Sequence, residues 1–207
     1  EAIVQFELAY TVLKTTEIEK DEHMSLLNSM GQCCQYLYDF KNSEKYFKEG
    51  IDYGAKNGMS KTLDQAILYS CLALLYKDML LENRSLDTYA TADQLFKIQT
   101  DTMNVDHANF LLDYAGVLVD VSQFDKALSC LFRTRNIHSK LFGENSPEYA
   151  VVLNNIGNAY SKMNKISETE QYYKQSIELK KRIPGVKILS YLNTQNNLMV
   201  FYNSVGR

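Results

Sequence analysis

The side chains that could carry out covalent or metal chemistry in this sequence are three histidines and four cysteines. His23, His107 and His138 are far apart, and none shares an i, i+4 helical face with another histidine or a cysteine, so their spacing does not indicate a metal site. We interpret His107 as the opening residue of a helix, where it caps the helix or contacts solvent. No glycine-rich phosphate loop or nucleophile elbow is present. The sequence therefore predicts a non-catalytic protein without a metal or a cofactor.

The cysteine positions favour free thiols over disulfides. Cys33 and Cys34 are adjacent, and all four cysteines lie within predicted helices, which fits reduced thiols in a cytosolic protein. Cys34 occupies a predicted core position, which packing explains better than redox switching. Cys71 falls on a predicted polar face, where it is either a reactive thiol or, as we favour, a small apolar residue.

Polar side chains, many of them asparagines, recur at positions that we predict to lie on one face of a series of helices. An amide both donates and accepts, so a row of asparagines can pair with the N–H and C=O groups of an extended peptide. Asparagine is also a mediocre helix former that adds nothing to a core. The alternative is that these residues are only solvated helix positions. The candidate binding residues are Asn28, Ser29, Gln32, Lys77, Asn109, Asp113, Asn154, Asn155, Asn158, Lys162, Asn196 and Asn197.

Composition restricts both the fold and the partner classes. A chain of 207 residues that is 45% hydrophobic can bury a substantial core, and its two prolines and nine glycines suit long helices better than short strands. The net charge is −3 with scattered basic residues, which removes the usual electrostatic signature of nucleic-acid binding. The densest basic run, Lys180-Lys181-Arg182, falls at a predicted helix end, where the helix dipole stabilises cations. No apolar run of about 18 residues is present, so we expect no membrane span.

Five segments align without gaps at an interval of 42 residues, and they define the helices that must position the polar residues. Offsets of −4, −1, 0 and +3 from a central small residue share one helical face, which must face the core. The polar candidates lie on a second face, centred about +100 degrees around the helix against about −50 degrees for the core columns. The small-residue column is Gly31, Ala73, Ala115 and Gly157, with Met199 as its exception. The flanking apolar columns are Met30, Leu72, Tyr114, Ile156 and Leu198, and Cys34, Tyr76, Leu118, Tyr160 and Tyr202.

A second signature begins twelve residues after each small residue: a small residue, a large one four positions later, and a small one three beyond that. This spacing is again helical, so each repeat contains a second helix that packs on the first. The copies are Ser43, Phe47 and Gly50; Ser85, Tyr89 and Ala92; Ala127, Leu131 and Thr134; and Thr169, Tyr173 and Ser176. Ala2, Phe6 and Ala9 match the same pattern, so we expect the sequence to begin inside a second helix and to end at the close of a first helix.

Turn and cap residues set the boundaries of the predicted helices. Ser146-Pro147-Glu148 is typical of a helix start, and Gly58 and Pro184-Gly185 mark helix ends. We predict second helices at about 1–14, 42–56, 84–101, 124–141 and 166–182, and first helices at about 23–38, 62–80, 107–121, 147–163 and 187–205. The domain prediction is a single array over 1–207, with partial repeats at 1–14 and 187–207 and full repeats at about 23–56, 62–101, 107–141 and 147–182. Because the sequence opens at Glu1 without a signal-peptide pattern, we expect it to be a fragment of a longer protein.

These columns resemble the tetratricopeptide signature, in which Leu-Gly, Tyr, Ala, Phe and Pro recur at fixed distances. The interval of 42 instead of 34, together with segments 154–160, 196–202 and 142–147, resembles the repeats of kinesin light chain. One departure concerns the glycine that commonly ends the first helix. It occurs only as Gly206, and the other copies have Tyr38, Leu80, Ser122 and Asn164. The resemblance implies an all-α, right-handed α-solenoid whose concave groove receives a ligand.

The resemblance further implies a protein-protein interaction scaffold or adaptor, with a partner protein or peptide in the groove and a cytoplasmic location. Analogy with kinesin light chain extends this to a cytoskeletal, motor or ciliary assembly. The alternative is a peptide-sensing signalling receptor whose effector domain lies elsewhere in the protein. The groove cations are chiefly Lys77 and Lys162, so a clamp for a C-terminal carboxylate is poorly supported. The identity of the partner and the oligomeric state stay open.

Overall fold

The computed structural model describes residues 8, 11, 19–99, 103–184 and 186–207. Within these residues it contains nine long α-helices and no strand, which confirms the predicted all-α fold. Leu8 and Thr11 are also helical. The rest of the predicted helix at 1–14, including Ala2, Phe6 and Ala9, lies outside the described residues, as does Gly185.

The chain packs as two compact units, Glu1–Thr102 (unit 1) and Met103–Arg207 (unit 2). Unit 1 contains α1 (Lys20–Tyr36), α2 (Phe40–Lys56), α3 (Leu63–Asp78) and α4 (Glu82–Lys97). Unit 2 contains α5 (Val105–Asp120), α6 (Phe124–Phe142), α7 (Pro147–Lys162), α8 (Ile166–Arg182) and α9 (Ile188–Ser204). Each of these boundaries is within four residues of its predicted position. The single continuous array stays a prediction.

Local sequence explains where the first helices begin. The side chains of Thr62, Asn104 and Ser146 each accept a hydrogen bond from the backbone N–H three residues later, which caps α3, α5 and α7. Pro147 follows its cap as the first helical residue, as predicted, because it lacks the N–H that a helix start leaves unpaired.

The first helices end in a left-handed residue even where no glycine is available. Tyr38, Leu80, Ser122 and Asn164 have φ between 56° and 60°, at the positions where glycine was missing from the repeat, and Gly206 has φ 72°. At the first of these turns, the N–H of Asp39 donates to the carbonyl of Cys34, as in a helix-terminating turn that closes over a left-handed residue. The repeat geometry therefore imposes this conformation on residues that do not favour it.

In unit 1, the small-residue column allows the two helices of a pair to pack closely. A Cβ atom added to Gly31 would overlap the ring of Phe47, so only glycine fits opposite that ring. Each pair is also joined by a buried hydrogen bond across the twelve-residue interval. Ser43 Oγ donates to the carbonyl of Gly31 at 2.8 Å, and Ser85 Oγ donates to that of Ala73 at 2.9 Å.

Unit 2 repeats this packing with different residues. A Cβ on Gly157 would lie 2.7 Å from the ring of Tyr173, and Ser176 Oγ donates to the carbonyl of Ala150 at 2.7 Å. Ala115 is 1% exposed, as its column predicts. The exception is Met199, which is 55% exposed because no helix of the described residues covers that side of α9.

The second signature was the more accurate of the two core patterns. All twelve of its residues between Ser43 and Ser176 are buried. They include seven hydroxyl-bearing side chains that a hydropathy argument would place outside: Ser43, Ser85, Thr134, Thr169, Ser176, Tyr89 and Tyr173. In the first-helix columns, Tyr160, Leu198 and Tyr202 are only partly buried. None of the described helices is both long and apolar enough to span a bilayer.

Candidate functional site

Four asparagines of unit 2 come together on one side of α7 and α9, and we call Asn154, Asn155, Asn158 and Asn197 the amide cluster. Asn197 Nδ2 donates to Asn154 Oδ1 at 3.2 Å and to Asn158 Oδ1 at 3.3 Å, which joins the two helices. On α7, Asn155 Oδ1 accepts from the amides of Asn154 at 3.2 Å and Asn158 at 3.5 Å. All four side chains are half-buried. The structure thus brings together four of the twelve predicted binding residues.

A buried tyrosine from α8 holds the amide cluster in place. The hydroxyl of Tyr173 donates to Asn158 Oδ1 at 2.7 Å, and the tyrosine is only 3% exposed. Burial raises the pKa of Tyr173 to about 12, so the hydroxyl keeps its proton at neutral pH and remains a donor. Because Asn158 Oδ1 accepts from both Tyr173 and Asn197, the orientation of its amide is fixed.

The internal bonds of the amide cluster leave a donor and an acceptor unused. Within the described chain, neither Nδ2 of Asn155 nor Oδ1 of Asn197 has a hydrogen-bonding partner. Both side chains are half-buried, so their unused groups are already partly shielded from water. A hydrogen bond to a ligand would therefore displace less water than at a fully exposed group. A cluster that offers both a donor and an acceptor can pair with the C=O and N–H groups of a peptide backbone.

The corresponding helix face of unit 1 has different chemistry. Gln32 Nε2 donates to Cys71 Sγ at 3.3 Å, and Gln35 Nε2 donates to Asp78 Oδ2 at 2.7 Å, so both bonds join α1 to α3. Beside them lies an open pocket of about 550 Å³, which we call the tyrosine pocket. It is lined by Gln32, Gln35, Tyr36, Tyr38, Leu74 and Asp78.

Sequence reasoning missed the apolar part of this pocket. Tyr36 lies at offset +5 and Leu74 at offset +1, both of which belong to the predicted binding face, but only polar residues were selected from that face. Tyr38 follows the end of α1 in the left-handed turn, where side-chain direction depends on the turn and not on helical periodicity. The offsets alone could have identified the first two residues.

The other predicted binding residues do not join either group. Asn109, Lys162 and Asn196 are exposed, and Lys77 and Asp113 are half-buried. Ser29 is exposed and donates to the carbonyl of Ser25 within its own helix. Asn28 is half-buried, and its Oδ1 is buried with no hydrogen-bond partner in the described chain. Their part in binding stays a prediction.

The histidines occupy separate environments. His23 stacks on Tyr53 with ring centroids 4.0 Å apart, and burial lowers its pKa although Glu49 opposes this. His138 is buried and makes an edge contact with Phe142. The expectation that His107 caps α5 or contacts solvent is wrong. Its side chain is 0% exposed, and Asn104 provides the cap by accepting from the backbone N–H of His107 at 2.8 Å.

The four cysteines are free thiols, in agreement with the sequence prediction. Cys34 is buried, as its core column predicts, and Cys71 is half-buried beside Gln32. Among the described residues, no group of three histidine, cysteine or acidic side chains is arranged to hold a metal ion.

Lys180 has a structural part that the basic run did not indicate. The run 180–182 ends α8, as predicted, but Lys180 is 6% exposed and its Nζ donates to the carbonyl of Ser190 at 3.0 Å and to Thr194 Oγ1 at 2.8 Å. Burial lowers the pKa of this lysine. The side chain therefore ties α8 to the first turns of α9.

A family model described as tetratricopeptide repeat matches residues 106–182. A sequence search of curated proteins finds no match. Among solved structures, BtubC (BKLC) from P. vanneervenii has a TM-score of 0.82 at 17% identity, over 99% of this chain and 82% of that chain. Kinesin light chain-type TPR-like repeats from Podosopora anserina have a TM-score of 0.76 at 14% identity, over 92% of this chain and 90% of that chain.

A further similar structure is the apo form of the quorum sensor NprR from B. thuringiensis. Its TM-score is 0.69 at 19% identity, over 97% of this chain and 53% of that chain. At such identities these likenesses establish the fold, which is a solenoid of helix pairs.

Proposed function

We propose that this chain, whose residues 106–182 are tetratricopeptide repeats and whose fold resembles that of kinesin light chain repeats, holds an extended segment of a partner protein on its amide cluster. The fold is one that serves protein-protein interaction, and the proposed activity is binding without catalysis. The observation that carries the proposal is that one hydrogen-bonded cluster keeps both an unused donor, on Asn155, and an unused acceptor, on Asn197.

A peptide in the extended conformation presents alternating N–H and C=O groups along each edge. Its carbonyl can accept from Asn155 Nδ2 while a neighbouring N–H donates to Asn197 Oδ1. Because asparagine is uncharged, this pairing recognises the backbone and adds no charge preference. We therefore expect the amide cluster to bind peptides by conformation more than by side-chain sequence.

The test is a double substitution, Asn155→Ala with Asn197→Ala, in the full chain. Asn158 is kept, because replacing it would leave the buried hydroxyl of Tyr173 without its partner and would weaken folding as well. Peptides are first selected from a random phage-displayed library on the unsubstituted chain, and their affinity for each variant is then titrated. Two lost hydrogen bonds should weaken binding roughly fivefold to a hundredfold.

Asn136→Ala is the matched control, because Asn136 is an exposed asparagine of the same unit that lies on the second helix α6. It should leave affinity unchanged. Because the double variant also removes the four bonds within the amide cluster, thermal melting checks that each variant is folded at the titration temperature. If the double variant binds the selected peptides as tightly as the unsubstituted chain, the amide cluster is not the binding site.

A second candidate function, peptide sensing in signalling, is favoured by the similarity to the quorum sensor NprR. In a sensor, the ligand is a short free peptide, whereas a scaffold binds a segment within a folded partner. Embedding a selected peptide in a loop of a carrier protein distinguishes these functions. Retained affinity favours the scaffold, and affinity only for the free peptide favours the sensor.

We further propose a cytoplasmic location and a place in a cytoskeletal, motor or ciliary assembly, supported by the fold shared with kinesin light chain-type repeats. The net charge of −3 argues against nucleic acid as the partner. Imaging a tagged full-length protein would test the location, since a diffuse signal with no filament or cilium association would contradict the assembly.

A further inference from the structure

The tyrosine pocket of unit 1 combines an apolar wall with a single charge. Tyr36 is 84% exposed and Tyr38 is 81% exposed, so both rings present most of their surface to a ligand. Leu74 adds an aliphatic surface, and Asp78 is the one charged side chain among the described residues that line the pocket. No lysine or arginine of the described chain forms an ion pair with Asp78. Its carboxylate therefore has no cationic partner within the described chain.

The described polar groups of this pocket include a carboxylate without a cationic partner and two amide oxygens without a donor. Gln35 must direct its Nε2 toward Asp78, because a carboxylate can only accept, and this leaves Gln35 Oε1 without a donor among the described residues. Gln32 donates one N–H of its Nε2 to Cys71, and its Oε1 receives no hydrogen bond from the described residues. Two amide oxygens and a carboxylate without a cationic partner thus favour a positively charged ligand with several donors.

We propose that the tyrosine pocket binds an arginine side chain of the partner peptide, which rests on the proposed function and specifies the partner's chemistry. A guanidinium carries five N–H donors and no acceptor, and its flat face stacks on aromatic rings. Asp78 and Gln35 Oε1 would receive its N–H groups, while Tyr36 and Tyr38 would contact its face and Leu74 its aliphatic stem. The bond from Gln35 to Asp78 holds the carboxylate in position before the ligand arrives.

The repeat supplies a comparison that isolates this pocket. Residues 42 positions apart are equivalent in the repeat. The residues equivalent to Tyr36 are Asp78 and, in unit 2, Asp120, and those equivalent to Tyr38 are Leu80 and, in unit 2, Ser122. Asp120 is therefore an exposed aspartate at the same helix position as Asp78, but with no tyrosine at the equivalent turn. It provides the matched control for the charge of Asp78.

The first test is a nuclear magnetic resonance titration of the full chain with N-acetyl-arginine amide, compared with N-acetyl-citrulline amide. Citrulline has nearly the same shape but lacks the positive charge. Arginine should bind roughly tenfold more tightly, because hydrogen bonds that involve charged groups are the stronger ones. Asp78→Asn should abolish this difference, Tyr36→Ala should weaken arginine binding, and Asp120→Asn should change neither. Equal binding of arginine and citrulline, or an unchanged preference in Asp78→Asn, would overturn the proposal.

The second test separates this inference from the proposed function. Peptides selected on the unsubstituted chain should be enriched in arginine at one position, and selection on Asp78→Asn should lose that enrichment. Selected peptides that bind well but show no arginine preference would overturn the tyrosine pocket assignment alone. A chain that selects no peptide at all would overturn the proposed function and this inference with it. Melting curves of each variant serve as the folding control. Because all three substituted residues are exposed, we expect the curves to be similar.

Discussion

Units 1 and 2 carry different polar chemistry on the corresponding face of their first helices. Unit 1 joins its first helices through Gln32 and through the pair of Gln35 and Asp78, beside two exposed tyrosines. Unit 2 joins α7 to α9 through neutral amides that bond to one another, with Asn197 as the link. The tyrosine pocket includes a charge and two aromatic rings, and the amide cluster includes neither.

The core beneath these faces differs far less than the faces do. In both units a small residue of the first helix receives a large ring or chain of the second helix, as Gly31 receives Phe47 and Gly157 receives Tyr173. The core columns at offsets −4, −1, 0 and +3 are therefore constrained by packing, and the face at +1, +4 and +5 is free to vary. One scaffold can thus carry two surfaces of different chemistry.

The largest effect is expected in the small-residue column, which is buried in both units. Ala115→Asp places an unpaired charge at a contact that is 1% exposed, which should lower the free energy of unfolding by roughly 3 to 5 kcal/mol. Ala73→Asp should cost unit 1 a similar amount. Urea denaturation provides the measurement. Met199→Asp is the control in the same column, and it should cost little because Met199 is 55% exposed.

A smaller effect is expected from the hydrogen bond that links the amide cluster to the core of unit 2. Tyr173→Phe gives unit 2 the residue that unit 1 has at Phe47, and it removes the bond to Asn158, which should cost about 1 kcal/mol. The pKa of Tyr173 is raised to about 12 in the folded state, from an ordinary value near 10. The folded state therefore holds this proton more tightly, and its stabilising contribution, complete below pH 10, is lost as the pH rises from 10 toward 12.

The measurement is the free energy of unfolding as a function of pH between 8 and 11 for the unsubstituted chain and for Tyr173→Phe. The unsubstituted chain should lose stability more steeply above pH 10, and the difference between the two chains should shrink there. A constant difference across this range would show that the hydroxyl does not stabilise the folded state through its proton.

The smallest effect concerns the left-handed turns. Leu80→Gly in unit 1 relieves a backbone conformation that costs a leucine roughly 1 to 2 kcal/mol, while glycine loses about 0.5 to 1 kcal/mol more through its unfolded freedom. The net expectation is a gain of about 0.5 kcal/mol. Asn164→Gly in unit 2 should gain less, because asparagine tolerates positive φ better. Thermal melting of the two variants gives the comparison, and a larger gain for Asn164→Gly would reject the explanation.

The repeat made the fold predictable, because a pattern sampled at five positions defines helix faces better than any single segment. It predicted the buried second-helix residues, and it placed Asn154, Asn155 and Asn158 on one face. It did not predict the bond from Tyr173, since a core tyrosine and a surface asparagine come from different columns. A contact between residues of two different columns can be identified only from the three-dimensional structure.

His107 and Lys180 show a second reason why sequence reasoning stopped short. Both are polar residues that a helix-terminus rule assigns to solvent, yet both are buried where one helix pair meets the next helix. The repeat positions involved are not uniform, because Gly54, Phe96, His138 and Lys180 occupy the same column. All four are buried, but the mixed polarity of the column hides this from a hydropathy pattern.

The buried lysine at the end of α8 offers a built-in reporter of how often α9 detaches. Lys180 reaches Ser190 and Thr194 under α9 and is 6% exposed, whereas its neighbour Lys181 points outward. An amine-reactive reagent should label the exposed Lys181 directly, but it should reach Lys180 only when α9 detaches locally. The ratio of the two labelling rates therefore measures the free energy of that local opening. A single pair of adjacent residues thus carries both the probe and its reference.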